Sequence, residues 1–244
     1  MRRTAATVGA LFWISNLVTL VGSAIAGTVP TSPAALATLP AHAAQVTAGT
    51  LIGQINGAAI IGYAVLLFPL LKRQHEGWAL GYLAFKVAEA LLLAVSAVVL
   101  LSMIPLSQND GGLRVAGAAP VDATASVTLA QQFWAARLAA LAYLVATPIL
   151  NVVLYRSRLV PRFLPVWGFA ALAMLAVGLA IGVGDPSRGF EAGQVLVIPI
   201  ILWELTFATW LIVKGFATER HDARDSRDAR DAAAERRVVV GTAT

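Results

Sequence analysis

The sequence contains no cysteine. Disulfides, iron–sulfur clusters, thiolate zinc sites and cysteine nucleophiles are excluded at once. Charge is scarce as well: 13% of the residues are charged and 58% are hydrophobic. A soluble globular domain carries about 25% charged residues, so most of this chain faces something other than water. Histidine is confined to His42, His75 and His221, all outside the long apolar runs. That excludes axial histidine ligation of haem within a bundle and a zinc protease of the His-Glu-x-x-His kind. The runs hold no aspartate for an aspartyl dyad, and no Gly-x-x-x-x-Gly-Lys phosphate loop occurs. A serine nucleophile would need a base, and Ser96 stands two turns from Glu89, too far along one helix for contact. No catalytic residue, metal site or cofactor is expected.

What the chain does have is long apolar stretches. A span through the hydrocarbon layer needs about 20 apolar residues. Six stretches qualify, at roughly 8–29, 48–71, 78–104, 129–155, 163–183 and 193–213. They are too long for membrane strands, and a helix satisfies its own backbone hydrogen bonds in lipid. The expected fold is all-α, an integral membrane bundle of about six transmembrane helices over residues 1–216. A charged, disordered tail is expected over 217–244, where Arg224-Asp225, Arg227-Asp228 and Arg230-Asp231 nearly cancel.

Basic residues between the runs alternate in side. Arg2 and Arg3, Lys72 and Arg73, Arg156, Arg158 and Arg162, and Lys214 fall on one side, and only Arg114 and Arg188 on the other. Cytoplasmic loops hold the excess of Lys and Arg, so both termini are expected in the cytoplasm and the chain in the plasma (bacterial inner) membrane. The net charge of +5 is thus a topology signal and implies no nucleic-acid partner. Met1-Arg2-Arg3, the apolar core and Ala24-Ile25-Ala26 also carry the pattern of a cleavable signal peptide. The length of the run and Asn16 weigh against cleavage. Trp78, Trp167 and Trp210 near the inner ends, and Trp134 nearer the outer end, suit interfacial anchoring. Gly49, Gly53 and Gly57, and Gly178 with Gly182, repeat at the spacing that lets helix backbones approach closely.

Several segments carry a family likeness. The stretch from Leu71-Lys72-Arg73-Gln74-His75-Glu76-Gly77-Trp78 to Tyr82, Lys86 and Glu89 resembles a helix hairpin of the domain-of-unknown-function 4386 family. Leu154-Tyr155-Arg156-Ser157-Arg158-Leu159-Val160-Pro161-Arg162, with Val166-Trp167-Gly168, is similar to the next inner hairpin of that family. Trp210 to Phe216 resembles its closing segment. Phe163 and Pro165 depart from the family pattern, which has Trp and Ser there. The resemblance implies a bacterial polytopic membrane protein and brings no established activity.

Four charged residues lie inside the runs: Lys86 and Glu89 in the third, Arg137 in the fourth, Glu204 in the sixth. A charge at a helix centre costs roughly 2.5–3.5 kcal/mol on insertion scales. Two positive and two negative charges favour mutual pairing. Lys86 and Glu89 are neighbours on one helix face, with Tyr82 a turn before and Ser96 two turns after, a polar stripe that must face protein or water. Arg137 shares a face with Pro148 and roughly with Asn151, and is expected to pair with Glu204. Pro199 is expected to free the carbonyl of Val195 near Glu204, as in the broken helices of transporter sites. The reading these residues favour is a non-enzymatic membrane protein that binds or passes a small solute, ion or lipid at a Lys86–Glu89–Arg137–Glu204 network flanked by Tyr82 and Asn151. The alternative is a structural or regulatory component acting through partners, with the paired charges fixing which helices are neighbours.

Overall fold

The computed structural model describes residues 2–27, 39–107, 121–184 and 195–217; the tail from 218 onward lies outside the described residues. Among the described residues six helices are given in chain order: α1 Arg2–Ala26, α2 Leu39–Lys72, α3 Glu76–Ser107, α4 Val121–Ser157, α5 Phe163–Gly184 and α6 Ile198–Val213. No strand occurs among the described residues. Five helices are long and apolar enough to cross a membrane, and α6 is apolar but only 16 residues long. The chain is an all-helical membrane bundle, and its surface agrees. Leu20, Val98 and Leu91 are 68%, 66% and 60% exposed, which suits side chains that face lipid tails rather than water.

The ends of the helices follow local chemistry. Gly27 and Gly215 adopt positive φ (72° and 66°) and donate to Ser23 O (3.0 Å) and Leu211 O (3.1 Å). These are left-handed caps that a side chain would disfavour. Between α2 and α3 the chain turns in three residues. Gln74 N and His75 N both donate to Leu71 O, and Lys72 bridges to Glu76 at 2.8 Å. Between α4 and α5, Arg158 takes φ 53°, and Ala217 N donates back to Leu159 O at 2.8 Å. The segment after α6 is thereby fastened to that turn.

The helices form a ring in chain order, each packed on the next, and α6 packs back on α1. Short basic connections gather at one end, called here the basic end. The main apolar core lies in that half, where Leu67, Leu71, Leu150, Leu154, Leu164 and Leu211 are almost fully buried. At the opposite end α2, α3 and α4 share a smaller cluster of Leu39, Val46, Leu100, Met103 and Ala125. This cluster explains why α2 and α4 begin well before the apolar stretches expected at 48 and 129. Apolar contact between the three helices sustains them beyond the membrane-spanning length. His42, expected in a loop, consequently lies within α2.

Pro199 falls beside a break between helical turns. It stands in the first turn of α6 after a cap at Val197. Proline is tolerated there because the first turn has no intrahelical acceptor for its missing N–H. Val195 and Leu196 just before it are helical too, so the helix is interrupted at Val197, two residues ahead of the proline.

The α1–α2 crossing rests on two glycines. A Cβ at Gly22 would stand 2.6 Å from Gly49 O, and one at Gly49 would collide with Gly22 O and Ala26 N. Gly53, one turn further, has open space. The Gly49 repeat thus acts at its first member, against a glycine of α1. Alanine at 22 or at 49 should cost about 1–3 kcal/mol by overpacking, while Gly53→Ala should be neutral or stabilising. Thermal melts of the detergent-solubilised variants check this. Equal stability of all three would refute the close crossing.

Candidate functional site

Polar side chains meet at mid-depth in the ring. Lys86 and Glu89 stand on α3 about 15 and 20 Å from its basic end, on a rise of about 1.5 Å per residue. Their spacing puts both on one face, and Lys86 Nζ donates to Glu89 Oε2 at 2.9 Å. They are only 2% and 6% exposed. The ammonium is also covered by aromatic rings, lying 4.2 Å from the centroid of Tyr143 on α4 and 5.6 Å from that of Tyr63 on α2. Phe12 of α1 stacks on Tyr63 at 4.0 Å. A cation in low dielectric gains from such faces about 2 kcal/mol or more.

Glu204 completes the centre from α6. Tyr143 OH donates to its Oε1 at 2.8 Å, and Asn16 Nδ2 of α1 donates to its Oε2 at 3.0 Å. Asn16 Nδ2 also bonds Phe12 O at 3.0 Å, which orients the amide. Both carboxylate oxygens are therefore met by neutral donors. Glu89, Glu204 and the phenols of Tyr63, Tyr82 and Tyr143 lie within electrostatic reach of one another. Three of the four tyrosines in the chain converge here.

The structure brings Lys86, Glu89 and Glu204 together and leaves Arg137 out. The expected Arg137–Glu204 pair does not form. Among the described residues the ion pairs are Lys72–Glu76 and Lys86–Glu89. The guanidinium of Arg137 lies 3.5 Å from the centroid of Phe133, one turn towards the far end, and its Nε has no hydrogen-bond partner. The reason is depth. Arg137 stands twenty residues before the end of α4 at Ser157, about 30 Å from the basic end, which is the whole thickness of the hydrocarbon layer. Glu204 is at mid-depth, where α4 offers Tyr143.

Tyr82 and Asn151 lie on the basic side of the centre, both fully buried. Among the described residues Tyr82 OH and both polar atoms of Asn151 have no hydrogen-bond partner, and Thr147 Oγ1 lies within reach of the Tyr143 hydroxyl. Asn151 sits against Gly168 of α5 and Trp203 of α6, close enough that a Cβ at 168 would come within 2.5 Å of its Nδ2 and 2.8 Å of Trp203 Nε1. Trp203 Nε1 is itself tied to Leu164 O at 2.7 Å. Ser96, at the far end of the stripe, meets only Gln132 at 3.5 Å. Asn16, Tyr63 and Tyr143 were not anticipated as site residues. Their one signal was a polar atom at mid-run.

Comparison with known proteins bears on the whole bundle. A family model described as a domain of unknown function (DUF4386) matches residues 7–215, from within α1 to just past α6. No curated protein and no solved structure matches the chain.

The closed pair makes a quantitative prediction. Lys86→Met or Glu89→Gln alone leaves a buried charge without its counter-ion and should cost about 3–5 kcal/mol. The double variant should cost clearly less than the sum. Arg137→Leu and Glu204→Gln share no contact, so their effects should add within about 0.5 kcal/mol. The two double-mutant cycles, read as stability in detergent, are expected to differ in this way. Coupling between 137 and 204, or its absence between 86 and 89, would contradict the geometry.

Proposed function

The chain belongs to the DUF4386 family, and from its central site we propose a non-enzymatic membrane protein that takes up one positive charge at Glu204 while binding or passing a small solute or ion. The supporting observation is a charge imbalance. At mid-depth the ring holds Lys86, Glu89 and Glu204, and the one cation is committed to Glu89 at 2.9 Å. Among the described residues Glu204 is met by Tyr143 OH and Asn16 Nδ2. An uncompensated carboxylate in hydrocarbon is expensive. A proton or a small cation cancels the excess, which makes Glu204 a receptor for one positive charge.

A second reading, a structural or regulatory component, draws support from the closed Lys86–Glu89 pair. It is supported too by the cavities of about 390 Å³ along α6 and about 380 Å³ beside Arg158 and Arg162, whose walls include neither carboxylate. The two readings separate on Glu204. In the charge-binding protein, wild-type stability in detergent depends on pH or on added Na⁺, K⁺ or alkylammonium. Glu204→Gln keeps the shape, folds and loses that dependence. Identical responses of wild type and variant would leave the structural reading standing.

For orientation we propose that the basic end faces the cytoplasm, with both termini there and the chain in the plasma membrane. The support is the Lys and Arg excess at Arg2, Arg3, Lys72, Arg73, Arg156, Arg158 and Arg162. In this cysteine-free chain, single cysteines at Gln74 and Ser157 should be protected from an impermeant thiol reagent in intact cells, and one at Asn109 should react. The reverse pattern would invert the topology.

A further inference from the structure

The unpartnered polar atoms below Glu204 have no role in the site as described. Tyr143, Thr147 and Asn151 follow one another at four-residue intervals on α4 and therefore share a face. Tyr82 stands on the adjoining α3, one turn towards the basic end from Lys86. Thr147 and Asn151 lie about 6 and 12 Å from Tyr143 along the axis. Three side-chain atoms here, Tyr82 OH, Asn151 Nδ2 and Asn151 Oδ1, are buried with no partner among the described residues, and Thr147 Oγ1 lies within hydrogen-bond reach of the Tyr143 hydroxyl. Each such atom costs about 1–3 kcal/mol if left dry. Folded proteins satisfy such groups with buried water. Gly168 gives the Asn151 amide its place, since a Cβ there would run into that amide and the Trp203 ring.

We infer that the charge taken up at Glu204 is a proton, and that Tyr82, Thr147 and Asn151 hold ordered water that carries it between Glu204 and the basic end. This rests on the reading of Glu204 as a receptor for one positive charge. The ligand set points to the proton. A hard metal cation is bound by oxygen lone pairs, six to eight of them for calcium. The groups on Glu204 are an amide N–H and a phenol O–H, whose hydrogens face the carboxylate and oppose a metal there. A proton needs one lone pair. Uptake converts hydronium and carboxylate to water and carboxylic acid, and no other bond changes.

Among the described residues the charged and titratable groups that face Glu204 come from three helices. α2 brings Tyr63, α3 brings Tyr82, Lys86 and Glu89, and α4 brings Tyr143. α1 brings the neutral Asn16, and α5 contains no ionisable residue. Lys86 is held by Glu89, which leaves Glu204 the carboxylate with no cation bonded to it among the described residues. Water oxygens in hydrogen bond are about 2.8 Å apart, so three or four molecules span the 12 Å from Tyr143 to Asn151. Beyond Asn151 the path meets the layer of Leu67, Leu71, Leu154, Leu164 and Leu211, all at most 1% exposed. That layer keeps the water file closed towards the basic end until the helices part.

The test uses the full-length protein in detergent. Radiolytic hydroxyl-radical labelling, which marks side chains beside bound water, should modify Tyr82 faster than Phe207, since both are fully buried and Phe207 is packed among Phe12 and Trp203. After a pH jump, infrared difference spectra should show one carboxyl band that Glu204→Gln abolishes and that Na⁺ and K⁺ leave unchanged. Tyr82→Phe, Thr147→Val and Asn151→Leu are near-isosteric and should keep the band while slowing its appearance about tenfold, which is roughly 1.4 kcal/mol on a barrier. Tyr82 labelled no faster than Phe207, or three variants with wild-type rates, overturns the water file even where Glu204 takes its charge. Displacement of the band by Na⁺ or K⁺ overturns the proton. If wild type takes up neither proton nor cation, the reading of Glu204 itself fails, and the labelling still decides whether the ladder is wet.

Discussion

A charge within a bilayer has no water to screen it, so every part of the centre of this protein answers to Lys86. The ammonium is neutralised by Glu89 on its own helix, which needs no tertiary structure beyond the helix itself. Burial then requires something around the pair other than lipid, and the rings of Tyr63 and Tyr143 supply it. Tyr143 has a hydroxyl, and a buried hydroxyl needs an acceptor. Glu204 is that acceptor. One cation thus draws α2, α3 and α4 together directly and α6 through a phenol, and Asn16 joins α1 to the same carboxylate. The ring closes around a polar centre because each polar group brought inside needs the next.

The apolar part of the fold is arranged around this centre unevenly. Large buried side chains lie towards the basic end, and the crossing at the other end is made by glycines, Gly22 on Gly49. Lipid tails are as apolar as leucine, so association of such helices depends on close packing and internal polar contacts. The basic half has dense packing and the centre has hydrogen bonds. The far half has close backbone approach and the extension shared by α2, α3 and α4. A solute reaching Glu204 from the basic end would have to part the leucine layer.

The parts of the site that were legible in the sequence are those contained in one helix. Lys86 and Glu89 are three residues apart, and helical periodicity alone makes them neighbours. The stripe through Tyr82 follows in the same way. Arg137 with Glu204 was a pairing between helices, and it failed on depth. α4 ends at Ser157, which leaves Arg137 about 30 Å from the basic end, whereas Glu204, nine residues before the end of α6, is about 14 Å from it. Asn16 and Tyr143 passed unremarked as site residues because they are uncharged, and a neutral polar residue in a span is cheap enough to be common. Pro199 was legible as an interruption because a proline has no N–H to give, and the helix is broken at Val197 just before it.

The sequence by itself determined that this is a membrane bundle, the order of its apolar helices and the end at which basic residues gather. Hydropathy is a local property that adds up along the chain, and lipid leaves the backbone no option but helix. The family likeness from Leu71 to Phe216 was legible for the same reason, since it is carried by contiguous segments. Only the tertiary structure decided that Glu204 takes Tyr143 and Asn16 as partners, that Arg137 stands apart, and that Asn151 is buried beside Gly168 and Trp203 with its amide unpaired. Those outcomes depend on the rotation of each helix about its axis and on its height against its neighbours. Neither quantity is stored in any one stretch of chain; both are set where six helices pack at once.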